Sequence, residues 1–239
     1  MIETLATTPS TNAELAARLS RGEAVREGDW LIANRQTAGK GRQGREWFDG
    51  AGNFMGSTVV HAAFGDPPLA SLSLLGGLAL HESVLSHIPP PLRALLKWPN
   101  DLMIGPAKLA GILMERVGDA VIIGIGVNLA SAPQLADRET VALSALGPSP
   151  DRDHFAQELA RIFANELVRW RSFGLSLVIT RWQAAAHPLG ASLLIGEPGE
   201  TPLSGTFSGL NDDGALLLRL TDGTTRVIHS GEVRLAGDI

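Results

Sequence analysis

The chain has 239 residues, which is enough for one sizeable domain or for a domain with a small satellite. Hydrophobic residues make up 44% of it and charged residues 19%, so we expect a packed core rather than disorder. The net charge of -5 argues against a general nucleic-acid binder, and the lack of cysteine excludes disulfides, a cysteine nucleophile and a thiolate zinc site.

The first half of the chain predicts helices and strands in alternation. Thr11 and Glu14 have the spacing of a capping box, which gives Thr11 a structural role at the start of a helix. The predicted elements are a helix over residues 12–19, a strand over 30–33, a glycine-rich loop over 35–53, a strand over 54–60 and a helix from about 69 to 87. Polar residues and glycines interrupt that second helix, so we interpret it as a core helix and not as a membrane span.

The second half predicts a sheet, two helices and then a run of short strands. The segment 121–127 is apolar on both faces, which predicts a central strand. The predicted elements are a strand over 92–98 ending in a turn at 99–101, paired strands over 109–115 and 121–127, helices over 151–171 and 175–186, and five short strands after residue 188. This change of pattern predicts a domain over residues 1–187 and a small β-barrel domain over residues 188–239.

The loop after the second predicted strand is rich in glycine and basic residues. Arg35, Lys40, Arg42 and Arg45 lie in it, and no acid lies between residues 35 and 45. Backbone N–H groups of glycines and basic side chains suit a phosphate, although a mobile, solvated loop has the same composition. The glycine spacing also fits a dinucleotide-binding fingerprint, but no apolar helix follows, and the residues around Lys40 do not fit a P-loop.

Three further segments place polar side chains at the ends of predicted elements. Lys97, Asn100 and Asp101 surround a turn, and Lys108 begins the next strand, where a ligand cleft is common. Asp101 suits Mg²⁺ on ATP phosphates, but each of these residues also fits an ordinary turn. Asn128 ends the apolar strand and could contact a base or sugar, or simply end the strand.

Taken together, these segments resemble the biotin–protein ligase family. The motifs are Ser-Thr-Asn at 10–12, the basic loop through Trp47, Lys-Trp-Pro-Asn-Asp at 97–101, Lys-Leu-Ala-Gly-Ile-Leu-Met-Glu at 108–115 and Gly-Ile-Gly-Val-Asn at 124–128. Their order and spacing match over residues 10–128. The resemblance implies an α/β (α+β) fold. Its catalytic domain has a mixed β-sheet with flanking helices, and a small SH3-like β-barrel follows at the C-terminus.

The family resemblance implies a reaction in two steps. Biotin and ATP form biotinyl-5'-AMP, and a lysine of a biotin carboxyl carrier protein then takes the biotin. The implied catalytic residues are Lys108 and Arg42. The implied adenylate-binding residues are Arg42, Arg45, Trp47, Asn100, Asp101, Lys108 and Asn128, with Asp101 serving Mg²⁺ or helping the incoming lysine to lose its proton.

The resemblance also assigns the biotin site. Its residues are Ser10, Thr11, Asn12, Gln36, Gly39, Lys40, Gly41, Lys108 and Gly111. Lys40 departs from the family pattern, which often has arginine there, and lysine lacks the planar fork. The residues after Trp47 also differ from the family pattern, and Asn53-Phe-Met-Gly-Ser57 stands where the family more often has Asn-Leu-Tyr-x-Ser.

Three other functions compete with this one. A lipoate or octanoate ligase or transferase would share the catalytic fold, although the complete basic loop favours biotin. A DNA-binding repressor needs a helix-turn-helix domain, for which the nine residues before Ser10 are too few. A binding protein without catalysis would need neither Lys108 nor the arginine pair. We expect a cytoplasmic enzyme with no membrane or DNA partner, as a monomer or a homodimer; the acceptor and the contacts of the barrel stay open.

Overall fold

The computed structural model describes residues 1–196 and 201–235, and two β-sheets organise them. The first has seven strands in the order β1-β2-β3-β7-β6-β5-β4. These strands are β1 Ile2–Leu5, β2 Trp30–Ala33, β3 Phe54–His61, β4 Ala94–Lys97, β5 Asp101–Ile104, β6 Ala107–Val117 and β7 Ala120–Val127. The helices are α1 Thr11–Ser20, α2 Leu72–Val84, α3 Arg152–Phe173 and α4 Leu175–Ala185. This mixed sheet with flanking helices confirms the predicted α/β class.

The centre of the sheet is the β6–β7 hairpin. The two strands pair antiparallel from Ala110 opposite Val127 to Val117 opposite Ala120, and a two-residue turn joins them. Gly118 in that turn has φ 58°, which favours glycine. β7 is the fourth of the seven strands, so the prediction of a central apolar strand is confirmed.

Helix α2 is the core helix of the fold. The stretch Leu69–His87 is long and apolar enough to span a membrane by length and composition, but most of it is buried inside the protein. Gly76 lets the helix approach Ile112 of the sheet, and Gly77 lets it approach Trp182 of α4. This burial between sheet and helices explains the apolar composition.

The opposite face of the sheet carries α1 and leaves open space beside it. Leu15 of α1 packs against Leu31, Val59 and Ile122 in a small second core. Because side chains alternate along a strand, Gly111 and Leu113 of β6 point to this face, while Ile112 points towards α2. The candidate site therefore lies on the face that α2 does not cover.

The second sheet is antiparallel and has the order β11-β10-β9-β8-β12. Its strands are β8 Ser192–Gly196, β9 Leu203–Leu210, β10 Leu216–Arg219, β11 Thr225–Ile228 and β12 Glu232–Leu235. As predicted, turns at residues 211–214 and 222–223 join β9 to β10 and β10 to β11. Within residues 192–196 and 201–235 the end strands β11 and β12 do not pair, so the barrel is not closed there. The boundary at residue 188 lies between α4 and β8 and stays a prediction.

Two strands were missed, and one capping role was wrong. β1 was not predicted, because its four residues alternate too briefly to give a pattern. Asp101 was assigned to a turn but begins β5, which pairs with both neighbouring strands. Thr11 does not cap α1: the N-cap position is Ser10, without a side-chain cap bond, and Thr11 is the first helical residue.

Candidate functional site

A cavity of about 1100 Å³ lies on the α1 face of the large sheet. All the residues assigned to the biotin and adenylate sites line it: Ser10, Thr11, Asn12, Gln36, Gly39, Lys40, Gly41, Arg42, Arg45, Trp47, Asn100, Asp101, Lys108, Gly111 and Asn128. These residues are spread over 119 positions of the chain (10 to 128), and the fold brings them to one place. Their convergence is the main reason to treat the cavity as a ligand site.

The basic loop folds as a small hairpin over the cavity. Gly41 N–H donates to the Arg45 carbonyl at 2.7 Å, and Trp47 N–H donates to the Gly39 carbonyl at 2.9 Å. A short 3-10 turn at Arg42–Gly44 closes the hairpin, and Gln43 and Gly44 have positive φ. The loop is therefore held by its own backbone, which fixes where its arginines start.

The two loop arginines reach different partners. Arg42 Nη1 donates to Asn100 Oδ1 at 3.1 Å, and Asn100 Nδ2 donates to the Ile112 carbonyl at 2.7 Å. Arg45 forms an ion pair with Glu232 at the start of β12. The loop thus joins the turn before β5 to the second sheet.

Lys108 and Asp101 form the charged centre of the site. Lys108 Nζ lies 2.6 Å from Asp101 Oδ1, and Lys97 Nζ lies 3.5 Å from Asp101 Oδ2. Burial raises the pKa of Asp101, but the charges and hydrogen bonds of Lys108 and Lys97 outweigh it, so the pKa lies below its ordinary value. Asp101 is therefore a carboxylate that orients two ammonium groups.

The geometry of Asp101 does not fit a protein-held metal. Each of its oxygens already faces a lysine. Within residues 1–196 and 201–235 no group of three His, Asp or Glu side chains could hold a metal ion. A magnesium ion bound to ATP phosphates would therefore enter as part of the substrate, with few ligands from the chain.

Lys108 is also fixed through its backbone. Its N–H donates to the Glu139 carbonyl at 2.9 Å, and its carbonyl accepts from Val141 at 3.0 Å. The segment around Glu139 and Val141 also brings Arg138 to the cavity wall, where Arg138 forms an ion pair with Asp137. The sequence reasoning missed Arg138, because it lies in a loop without a motif.

Trp47 packs against the two central strands. Gly111 and Gly126 are opposite one another on β6 and β7. A Cβ at Gly126 would come within 2.2 Å of the Trp47 ring, and one at Gly111 would meet both Trp47 and Lys108. Lys108 Nζ lies 5.7 Å from the centre of that ring. The glycines therefore form a floor for the indole, and the indole borders the charged centre.

The polar end of the cavity is a buried cluster around Thr11. Thr11 N–H, the first donor of α1, donates to Gln36 Oε1 at 2.7 Å. Thr11 Oγ1 lies 2.6 Å from Ser57 Oγ, which donates to Asn12 Oδ1 at 2.6 Å. Gly124 leaves room for Asn12, since a Cβ there would come within 2.3 Å of Oδ1. Ser57, which the sequence did not assign to the site, lies inside the apolar strand β3.

Asn128 and Ser10 complete the wall. Both side chains are buried. Asn128 Nδ2 donates to the Val141 carbonyl at 3.2 Å, whereas its Oδ1 accepts no hydrogen bond from any described residue. A buried acceptor without a partner costs free energy, so Oδ1 is suited to a donor on a ligand.

Comparisons with known proteins agree with this geometry. The Biotin/lipoate A/B protein ligase family matches residues 5–128, and the Biotin protein ligase C terminal domain matches residues 195–235. A Biotin--[acetyl-CoA-carboxylase] ligase of Paracoccus denitrificans is 38% identical, over 98% of this chain and 100% of its own length. The protein of the same name from Mycobacterium tuberculosis is 36% identical, over 97% and 88%.

A solved structure is similar over nearly the whole chain. The biotin protein ligase from Aquifex aeolicus, in complex with biotin and ATP, has a TM-score of 0.83 and 26% identity, and the match covers 98% of this chain and 97% of that one. The family models, the relatives and this fold agree with one another. The chain belongs to the Biotin/lipoate A/B protein ligase family.

Proposed function

We propose that this chain is a biotin–protein ligase, which activates biotin with ATP and transfers it to a lysine of a biotin carboxyl carrier protein. The observation that carries the proposal is one cavity with a buried polar cluster at one end and a group of cations at the other. The Aquifex relative was solved with biotin and ATP, and the relatives at 36–38% identity are named for acetyl-CoA carboxylase.

The polar cluster fits the ureido ring of biotin. That ring has two N–H donors and one carbonyl acceptor. Thr11 and Ser10 offer hydroxyl groups, and Gln36 offers an amide whose Nε2 lies beside Gly39. A buried site that hydrogen-bonds a ligand rejects an analogue without those groups, so a lipoyl or octanoyl chain is disfavoured here.

The cations fit the first chemical step. A biotin carboxylate oxygen attacks the α-phosphorus of ATP, the bond to the bridging oxygen breaks, and pyrophosphate leaves. Two anions must meet, so Lys108 is placed to offset their repulsion, with Asp101 and the backbone bridge holding it. Arg42 and Arg45 hold phosphate oxygens, and Trp47 packs beside the adenylate.

The second step consumes the mixed anhydride. The amine of the acceptor lysine attacks the biotinyl carbonyl carbon, and AMP leaves with the electron pair of the broken C–O bond. The loop over the cavity keeps water from the anhydride in the meantime. The attacking amine releases its proton to solvent, and Asp101 keeps Lys108 in place during this step.

The first test is release of pyrophosphate with ATP and Mg²⁺, while biotin, lipoate and octanoate are offered in parallel. We expect release that depends on biotin alone. Release with lipoate or octanoate would assign the chain to the other ligases of the family, and no release with any acid would leave a binding protein. Cytoplasmic location, a homodimer and the absence of DNA binding stay predictions.

A further inference from the structure

Glu115 lies at the far end of a hydrogen-bond chain that leads into the polar end of the cavity. Its Oε2 accepts from Asn12 Nδ2 at 2.7 Å, Asn12 Oδ1 accepts from Ser57 Oγ at 2.6 Å, and Ser57 Oγ lies 2.6 Å from Thr11 Oγ1. Glu115 is exposed and lies outside the cavity wall. It is the last residue of the Lys108–Glu115 motif, and the two chemical steps give it no role.

The carboxylate fixes the direction of every proton in this chain. A carboxylate only accepts, so Asn12 must turn its Nδ2 towards Glu115 and its Oδ1 towards Ser57. Oδ1 also only accepts, so Ser57 donates its one proton to Asn12. Ser57 is then an acceptor towards Thr11, so Thr11 donates its single proton over the 2.6 Å contact to Ser57 and not over the longer 3.2 Å contact to Gln36 Oε1.

The result is a defined polarity at the cavity wall. Because its proton points to Ser57, Thr11 Oγ1 presents lone pairs to a ligand. Gln36 uses Oε1 to accept from Thr11 N–H, so its Nε2 is left as a donor. The Thr11 oxygen can therefore accept from a ureido N–H, and Gln36 Nε2 can donate to the ureido carbonyl.

We propose that Glu115 is a positioning residue for biotin, which acts through Asn12 and Ser57 to keep Thr11 in the accepting state. This rests on the proposed function. Without the carboxylate, Asn12 is held in this orientation only by a longer bond of 3.4 Å from Nδ2 to the Leu113 carbonyl. A turned Asn12 reverses the chain, so Ser57 donates to Thr11 and occupies one of its lone pairs, and the Thr11 proton turns to Gln36 Oε1, 3.2 Å away. Thr11 Oγ1 is then a weaker acceptor for the ligand N–H.

The experiment compares Glu115→Ala with Glu115→Gln. Both remove the charge, but the glutamine keeps an oxygen that accepts from Asn12. We expect Glu115→Ala to raise KM for biotin about three- to tenfold, with kcat and KM for ATP unchanged, which is the size of one weakened hydrogen bond. Glu115→Gln should stay within about twofold of the parent protein. Glu23→Ala, which removes an exposed carboxylate paired with Arg21, is the matched control.

A second variant tests the route. If Glu115 acts through Ser57, then Glu115→Ala has no further effect on KM for biotin in a Ser57→Ala background. Additive effects would overturn the proposal, as would equal losses in the alanine and glutamine variants or an unchanged KM for biotin in Glu115→Ala. An inactive parent protein would instead refute the proposed function, so the two failures are distinct.

Discussion

The two ends of the cavity are built in different ways. At the polar end, the side chains of Thr11, Gln36 and Ser57 are buried and bonded to one another. At the cationic end, Arg45 is 34% exposed and its partner Glu232 is 17% exposed. Buried hydrogen bonds specify one geometry, because a broken one leaves an unpaired group. Partly exposed ion pairs are worth about 0–1 kcal/mol, so phosphate oxygens can replace them at low cost.

This difference indicates that the two ends of the cavity have different roles. The polar end is set before the ligand arrives and therefore selects it. The cationic end can rearrange from Asn100 and Glu232 to the phosphates, which suits a loop that must close over an intermediate and later open. Lys108 belongs to the cationic end but is preorganised, because its backbone bridge and Asp101 hold it in place.

The largest effect is expected at Lys108. Lys108→Ala should lower the rate of adenylation at least about a hundredfold, because it removes a preorganised charge where two anions meet. Pyrophosphate release under single-turnover conditions measures this step. Lys97→Ala is the matched comparison, because Lys97 faces the other oxygen of Asp101. This variant should lower the rate of adenylation much less than Lys108→Ala does. A Lys108 variant with near-normal turnover would contradict the central assignment.

The next effect concerns retention of the intermediate. Arg42→Ala should raise the escape and hydrolysis of biotinyl-5'-AMP roughly tenfold or more, because the loop loses its contact with Asn100 and with the phosphate. The ratio of free biotinyl-5'-AMP to biotinylated acceptor measures it. Arg152→Ala, on α3, is a control arginine. An unchanged ratio would count against a gating role for the loop.

A smaller effect is expected at the polar end. Thr11→Val keeps the shape of the side chain but removes the oxygen that faces the ligand, so KM for biotin should rise about tenfold. KM for ATP should not change, because the nucleotide lies at the other end. If both KM values rose together, the separation of the two ends would be wrong.

The smallest effect is expected at Glu232. Glu232→Gln removes the charge that holds Arg45, so KM for ATP should fall about threefold. Glu23→Gln removes an equivalent negative charge, one that pairs with Arg21, and should leave KM for ATP unchanged. A rise in KM for ATP would show that Glu232 helps to bind the nucleotide instead of competing with it.

Periodicity and the motifs predicted much of this structure. The central strand β7 and the core helix α2 follow from long apolar patterns, which identify buried elements. The residues assigned to the site fall in motifs around glycines and turns, and the family resemblance assigned their roles; those roles stay predictions. Strand β5 was missed because the pattern Pro-Asn-Asp is typical of a turn, whereas pairing with β4 and β6 decides the conformation of Asp101.

The misses inside the site have a common physical cause. Thr11 was given a capping role from local spacing, but its hydroxyl instead contacts Ser57, 46 residues away. Arg138 and Glu232 belong to no motif, and only tertiary structure brings them to the cavity wall, while Ser57 lies behind that wall in contact with Thr11. Local spacing carries no information on contacts between distant segments, so one sequence alone could not have placed them.

The most direct test is the mass of a purified biotin carboxyl carrier domain after incubation with this protein, ATP, Mg²⁺ and biotin. We predict the addition of one biotinyl group, on the acceptor lysine and only when both biotin and ATP are present. A carrier domain whose mass does not change, with an enzyme that is folded and binds biotin, would contradict the assignment as a biotin–protein ligase.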